Sequence, residues 1–172
     1  MYPEAYIEYL AHFHGDRDYF ECHEILEEYW KEADPGNKES IWVALILLAV
    51  SCYHHRRNNF SGASRTLKKA YSIFKKQELG CERLGLDYNR LHEQVDSLLE
   101  KIRLRQSYTS VNLPIADQTL VALCKNKCET KGFQWLKESN MADPELINRH
   151  AVRDRSNVIS ARLQALEERN NE

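Results

Sequence analysis

Apolar residues recur along roughly the first 105 positions at spacings of three and four, the pattern that buries one face of an α-helix. Turn sequences such as HGD and ADPGN interrupt this pattern, and Asp or Asn residues stand where helix caps are needed. The predicted helices cover about residues 3–13, 17–33 and 38–57, followed by a fourth capped by Asn58 or Asn59 and a fifth capped by Asp87. Gly15 is expected to end the first helix with a positive φ. We therefore expect an all-α, up-and-down helical bundle of about five helices over residues 1–105.

The third predicted helix contains IWVALILLAVSCY and is apolar on every side. Its uncharged stretch runs from Ser40 to His55, which is shorter than the roughly 20 apolar residues of a membrane-spanning helix. A helix with this pattern is surrounded by other helices. We expect it to form the centre of the bundle, with no membrane segment.

The remaining chain divides into a connector and a helical extension. Residues 106–116, QSYTSVNLPIA, are polar with one proline and predict the connector. Residues 117–172 predict further helices, with Asp117 and Asp143 as caps, Pro144 in a first turn, and a last helix ending near residue 169. This extension has too few large apolar residues to fold alone, so we expect it to pack on the bundle.

Composition narrows the class of protein. Apolar residues make up 42% of the chain and charged residues 29%, which is typical of a globular protein. The formal net charge of -2 gives no global reason to expect nucleic-acid binding. The N-terminal residues lack the pattern of a secretory signal, so we expect a cytoplasmic protein. The cysteines are scattered and odd in number, which favours reduced thiols; they are Cys22, Cys52, Cys81, Cys124 and Cys128. Cys124 and Cys128 share a helix face but lack a second ligand pair for zinc.

The stretch DYFECHEILEEYW carries the candidate chemistry. On a helical wheel, His23 and Glu27 lie one turn apart within a broad apolar arc and can touch. One interpretation is a buried polar strut that sets the helix register. The alternative is a site: two ligands of a divalent metal with His54 or His55 as a third, or an acid–base pair. His12 and His14 are expected at the surface.

Charge is distributed unevenly between two helices. Residues 16–34 hold eight acidic and two basic residues, whereas residues 54–76 hold seven basic residues and no acid. Complementary charge predicts that the second and fourth helices lie close together, within one subunit or across a dimer. The simpler interpretation of the basic helix is a solvated face, with nucleic-acid binding as a weaker alternative.

Four stretches resemble the family known as the domain of unknown function 309 (DUF309): YFECHEILEEYW, ALILLAVSCYH, NFSGA and LGLDY. The pattern of this family is H-E-x-x-E-x-x-W, an apolar helix that ends near a histidine, and an Asn-x-x-Gly-Ala turn. The resemblance covers about residues 1–105 and includes His23, Glu24, Glu27, Trp30, His54, Asn59, Gly62 and Ala63. It implies a helical bundle of bacterial or archaeal type and implies no activity. The resemblance implies glutamines in many relatives at the positions where this chain has Val43 and Leu47, so part of the polar network that it implies is missing here.

These observations favour a non-enzymatic interaction or accessory protein in which His23, Glu24, Glu27 and Trp30 form a buried polar and aromatic nucleus. Its partner would be another protein or a second copy of the chain. The alternative is a metal-dependent or acid–base enzyme, similar to a hydrolase, that uses His23 and Glu27 with His54. The two differ around His23, where the first predicts packed side chains and the second predicts a cleft.

Overall fold

The computed structural model describes residues 1–149, and its regular secondary structure over this range consists of helices joined by turns and irregular segments. The predicted all-α class is confirmed. The helices are α1 (Glu4–His14), α2 (Tyr19–Ala33), α3 (Ile41–Arg56), α4 (Phe60–Phe74), α5 (Glu78–Arg83), α6 (Tyr88–Arg103), α7 (Gln118–Lys131) and α8 (Pro144–Ile147).

Helix α3 forms the centre of the bundle, as its apolar sequence predicts. It packs against α2 and against α4, while α1 packs on α2 and α6 packs on α4. Leu45, Leu48 and Ala49 are fully or almost fully buried in the core that these helices share. Because α3 lies between α2 and α4, the predicted close packing of the second and fourth helices is wrong within one subunit.

Side-chain caps begin most of the helices. Asp18, Ser40, Asn59 and Asp87 each accept a hydrogen bond from a backbone N–H in the first turn of α2, α3, α4 and α6, and each bond satisfies a donor that the helix leaves unpaired. The caps predicted for the fourth and fifth helices are therefore confirmed. The short helix α5 lies between them, where no helix was predicted.

The predicted conformation of Gly15 is wrong. Its φ is −96°, and the positive φ falls instead on Arg17, at 59°. Gly15 is needed for space, because a Cβ there would lie 2.5 Å from the carbonyl oxygen of Ala11. The left-handed backbone at Arg17 is unfavourable for a residue with a side chain, and the side-chain bonds described below offset that cost.

The chain after α6 packs on the bundle. Helix α7 packs on α1, and the connector before it runs without helix past Leu86, with which Ile115 forms an isolated β-bridge. Val111 and Leu113 in this connector are buried, although the segment is largely polar. Asp143 caps α8 and Pro144 occupies its first turn, as predicted. The last predicted helix, up to about residue 169, lies outside the described residues.

All five cysteines are buried free thiols. Burial raises the pKa of the Cys52 and Cys124 thiols to about 12, so both stay protonated at neutral pH. Among the described helices, none has the length and apolar character needed to cross a bilayer.

Candidate functional site

A cleft opens between the first half of α2 and the second half of α3. It has a volume of about 230 Å³. Its lining residues come from these two helices and the residue that follows α3; they are Tyr19, Phe20, His23, Val50, Tyr53, His54 and Arg57. The structure therefore places two predicted site histidines, His23 and His54, on one cleft with three aromatic rings.

His23 stands between two carboxylates of its own helix. Its Nε2 lies 3.1 Å from Glu27 Oε2, and its Nδ1 lies 3.4 Å from Glu24 Oε1. The second contact lacks hydrogen-bond geometry, and Nδ1 is buried without a hydrogen-bond partner. Lys31 Nζ lies 3.1 Å from the other oxygen of Glu27. The predicted contact of His23 with Glu27 is present, within a chain of charges along one face of α2.

The predicted burial of this motif is wrong. The side chains of His23, Glu27 and Glu24 are 28%, 35% and 38% exposed. Helix α2 packs mainly on α1 and α3, so its buried stripe is narrow and consists of Tyr19, Phe20, Cys22 and Leu26. The motif residues lie beside this stripe, at the edge of the cleft.

Trp30 forms a hydrogen bond to the turn that follows α2. It is half-buried, and its Nε1 donates a hydrogen bond to the carbonyl oxygen of Asn37 at 3.0 Å. The ring thereby joins the last turn of α2 to the segment that leads into α3. Trp30 does not line the cleft.

The Asn-x-x-Gly-Ala turn orients His54. Asn59 Oδ1 accepts a hydrogen bond from the Gly62 backbone N–H at 3.0 Å, and Asn59 Nδ2 lies 3.2 Å from His54 Nδ1. A Cβ on Gly62 would lie 2.6 Å from Asn59 Nδ2, so only glycine allows this approach. The carbonyl oxygen of Ala63 accepts a hydrogen bond from Ser51 Oγ and holds the start of α4 against α3. The motif residues of this turn form one connected unit next to the cleft.

His55 faces away from the cleft. Its Nε2 lies 2.8 Å from the carbonyl oxygen of Gln106, and burial lowers the pKa of this histidine. Within residues 1–149, no three His, Cys, Asp or Glu side chains are grouped so as to hold a metal ion. His23, Glu27 and His54 thus share one region without forming such a group.

Two arginines buried behind the cleft were missed in the sequence. Arg56 is 2% exposed, and its Cζ lies 4.5 Å from the centre of the Tyr19 ring. Its guanidinium donates hydrogen bonds to the carbonyl oxygens of Arg17 and Leu146 at 2.6 and 3.2 Å. Arg17 is fully buried and donates to the carbonyl oxygens of Phe13, Val111 and Lys137. Among the described residues, neither guanidinium lies within salt-bridge distance of a carboxylate.

Tyr19 connects the cleft to the C-terminal part of the chain. It is fully buried, and its hydroxyl forms a hydrogen bond with that of Tyr108, which in turn lies 2.8 Å from Ser139 Oγ. Burial raises the pKa of Tyr19 well above its ordinary value, so the hydroxyl stays protonated. One wall of the cleft is therefore positioned by residues outside the α1–α6 bundle.

His14 is also buried, and its predicted surface position is wrong. Its Nδ1 lies 2.8 Å from the carbonyl oxygen of Leu10, and its Nε2 accepts a hydrogen bond from the Leu113 N–H at 2.9 Å. His12 is buried as well, at 9% exposure, and its Nδ1 lies 3.0 Å from Asp16 Oδ1. Both histidines belong to the core of the bundle.

Comparisons with known proteins identify the family. A family model described as "Domain of unknown function (DUF309)" matches residues 6–66, a range that contains every residue lining the cleft. The chain is 46% identical to the Bacillus subtilis (strain 168) protein named "Uncharacterized protein YpuF", over 98% of this chain and 97% of that protein. No solved structure matches the chain. By this identity over almost the whole of both chains, the protein belongs to the DUF309 family.

Proposed function

We propose that this protein is a non-enzymatic interaction protein whose α2–α3 cleft receives an apolar side chain of a partner protein. The observation that carries the proposal is the convergence of two separate motifs on one cleft with aromatic walls. His23 comes from the first motif and His54 from the second, and Phe20 and Tyr53 stand beside them. We also propose a cytoplasmic location, which the buried free thiols support.

The size of the cleft favours a side chain over a large cofactor. Pockets for drug-sized ligands and cofactors typically have volumes of about 300–1,000 Å³. The α2–α3 cleft, with about 230 Å³, is smaller. An aromatic or aliphatic side chain of a peptide segment suits this space, which Phe20, Val50 and Tyr53 help to line.

The geometry of His23 argues against a role as general base. A general base needs a ring nitrogen within hydrogen-bond reach of the proton that it takes. Both nitrogens of His23 approach carboxylates of α2, and Nδ1 is buried. The His23 ring lies beside the Phe20 ring in a tilted arrangement, with ring centres 5.9 Å apart, and so extends the aromatic wall.

The enzymatic alternative keeps one observation in its favour. The interpretation of the motif as a structural nucleus predicts packed side chains around His23, whereas in the structure His23 and His54 line a cleft. Metal analysis of protein purified without chelators, repeated with His23→Ala, tests this alternative. Stoichiometric zinc, iron or manganese that is lost in the variant would favour a metal-dependent enzyme over the interaction protein.

A peptide selection tests the proposed function directly. Random peptides displayed on phage would be selected against the wild-type protein and counter-selected against Val50→Trp, in which the larger ring fills the cleft. We expect peptides that require the open cleft and contain a large apolar residue. Peptides that bind both proteins equally would contradict the proposal. Arg57→Glu provides a second counter-selection that alters the rim without filling the core.

A further inference from the structure

Building on the proposed function, we infer that the partner segment carries a carboxylate next to its apolar side chain, and that Arg57 recognises this carboxylate. The cleft would therefore select an acidic peptide segment with an aromatic or aliphatic anchor. The inference depends on the charges that surround the cleft, whereas the proposed function depends on its shape and apolar walls.

Arg57 offers a positioned guanidinium at the rim. It follows the last residue of α3, is half-buried and lines the cleft. Its Cζ lies 5.4 Å from the centre of the Tyr53 ring, and its Nη1 donates a hydrogen bond to Tyr53 Oη at 3.4 Å. Within residues 1–149, no carboxylate lies within salt-bridge distance of Arg57. A guanidinium held on an aromatic ring can bind a carboxylate through two parallel hydrogen bonds.

The acidic residues near the cleft do not compete for this position. None of the seven lining residues is acidic. Glu27 lies beside His23 and Lys31, each at 3.1 Å. The buried carboxylate of Asp18, at the start of α2, lies 3.2 Å from Arg149 Nε. Glu27 and Asp18 therefore have charged neighbours of their own, and Glu24 lies 3.4 Å from His23 Nδ1.

Two further positive charges lie behind the aromatic wall. Arg17 and Arg56 are buried, and their acceptors are carbonyl, hydroxyl and amide oxygens rather than carboxylates. The guanidinium of Arg56 packs directly on Tyr19, which lines the cleft. Charges in the protein interior are screened less than charges in water, so both raise the positive potential at the cleft. A partner carboxylate that contacts Arg57 matches this local positive charge.

The apolar walls distinguish this site from a simple anion site. Tyr19, Phe20, Val50 and Tyr53 are four of its seven lining residues. An inorganic anion would contact the guanidinium at the rim and make no use of the apolar part of the cleft. A segment in which an apolar side chain and a carboxylate are neighbours satisfies both parts of the cleft at once.

Two small probes separate the contributions of charge and shape. N-acetylphenylalanine carries an aromatic ring and a carboxylate, and N-acetylphenylalaninamide carries the same ring without the charge. Both would be titrated into the full-length ¹⁵N-labelled protein while backbone chemical shifts are recorded. We expect both to shift residues of the cleft, with the carboxylate binding about tenfold more tightly, as a charge-assisted hydrogen bond predicts.

Arg57→Gln should reduce this preference strongly, whereas Arg65→Gln should leave it unchanged, because Arg65 is exposed on α4 and does not line the cleft. With the wild-type protein, a higher salt concentration should weaken the binding of N-acetylphenylalanine and leave the binding of N-acetylphenylalaninamide unchanged. This test needs no variant. Equal binding of both probes in the cleft would overturn the acidic partner and leave the proposed function standing. If neither probe shifts the resonances of cleft residues, both the acidic partner and the proposed function are contradicted. Displacement of N-acetylphenylalanine by an equal concentration of inorganic phosphate would indicate an anion site without an apolar anchor and overturn the inference.

Discussion

His14 lies inside the bundle as a neutral imidazole between two backbone groups. It joins α1 to the connector through the carbonyl oxygen of Leu10 and the N–H of Leu113. Burial lowers its pKa from 6.5 to about 3, and the nearby charge of Arg17 acts in the same direction. Between pH 6.5 and about 3, His14 is therefore protonated in the unfolded chain and neutral in the folded chain.

This difference predicts a loss of stability in acid. As the pH falls from 6.5 towards about 3, the unfolded state gains the proton first, so His14 lowers the free energy of unfolding by up to about 1.4 kcal/mol per pH unit. In His14→Gln this contribution is absent, and the difference in stability between the two proteins should shrink as the pH falls. Urea denaturation at several pH values measures it. Parallel stability curves for the two proteins would contradict the prediction.

The pair formed by His23 and Glu27 should contribute little to stability. Glu27 is 35% exposed, and ion pairs in such positions contribute between 0 and about 1 kcal/mol. Glu27→Ala should therefore melt close to the wild-type temperature, as should Glu28→Ala, whose side chain is exposed. A loss of about 3 kcal/mol in the first variant alone would restore the structural strut that the sequence suggested.

Only some of these side-chain positions could be predicted from the sequence. The contact of His23 with Glu27 follows from their spacing on one helix, but their exposure depends on which neighbours α2 has. Arg56 continues the buried stripe of Ala49 and Cys52 on α3, so periodicity alone could have indicated it. Arg56 was not predicted to be buried because arginine is rarely buried. Arg17 lies between two helices, where no periodicity applies.

At the scale of the helices, Asn59 performs two tasks that substitutions can separate. It caps α4 through Oδ1 and contacts His54 through Nδ2. Asn59→Ala should remove both and lower the free energy of unfolding by about 1 kcal/mol. Asn59→Asp should keep the cap and replace the amide N–H next to His54 by a carboxylate oxygen, which can only accept a hydrogen bond from the ring. NMR resonances of the His54 ring should then change in both variants, whereas stability should fall only in the first. Equal stability of the two variants would show that the cap contributes nothing.

The basic face of α4 should bind nucleic acid weakly at most. Arg65, Lys68, Lys69, Lys75 and Lys76 are exposed. Lys76 Nζ lies 3.3 Å from Glu39 Oε2, and Lys75 Nζ lies 4.1 Å from the centre of the Tyr71 ring. Such contacts are expected of a solvated helix face. Gel-shift assays with double-stranded DNA should show only binding that disappears at physiological salt. Tight binding under those conditions would favour a nucleic-acid-binding protein.

Periodicity and caps located the main helices well, because their signals are local. Asn59 and Asp87 stand beside the apolar stripes that they cap. Helix α5 was missed because six residues are too few to show a period, and it contains Gly80. The position of α3 between the two oppositely charged helices could not be inferred, because charge complementarity between surfaces does not specify which helices are neighbours.

At the scale of the whole molecule, the two buried arginines join the bundle to the chain that follows it. Arg17 reaches the connector at Val111 and Asn112 and the later segment at Lys137. Arg56 reaches Leu146. Such long-range bonds leave no pattern in the sequence, since most of their acceptors are backbone carbonyl groups, which every residue carries. They explain why a polar connector lies against the core.

Removal of Arg17 should therefore release the connector and destabilise the entire fold. Arg17→Met keeps much of the side-chain volume but leaves the carbonyl oxygens of Phe13, Val111 and Lys137 without this donor. We expect a loss of about 3 kcal/mol or more in the free energy of unfolding, together with new protease cleavage within residues 106–116. Arg65→Met, which removes an exposed arginine of α4, should change neither quantity. Limited proteolysis followed by mass spectrometry, and urea denaturation of both variants, measure the two effects. If Arg17→Met resists cleavage in this segment as well as the wild-type protein does, contacts other than those of Arg17 hold the connector in place.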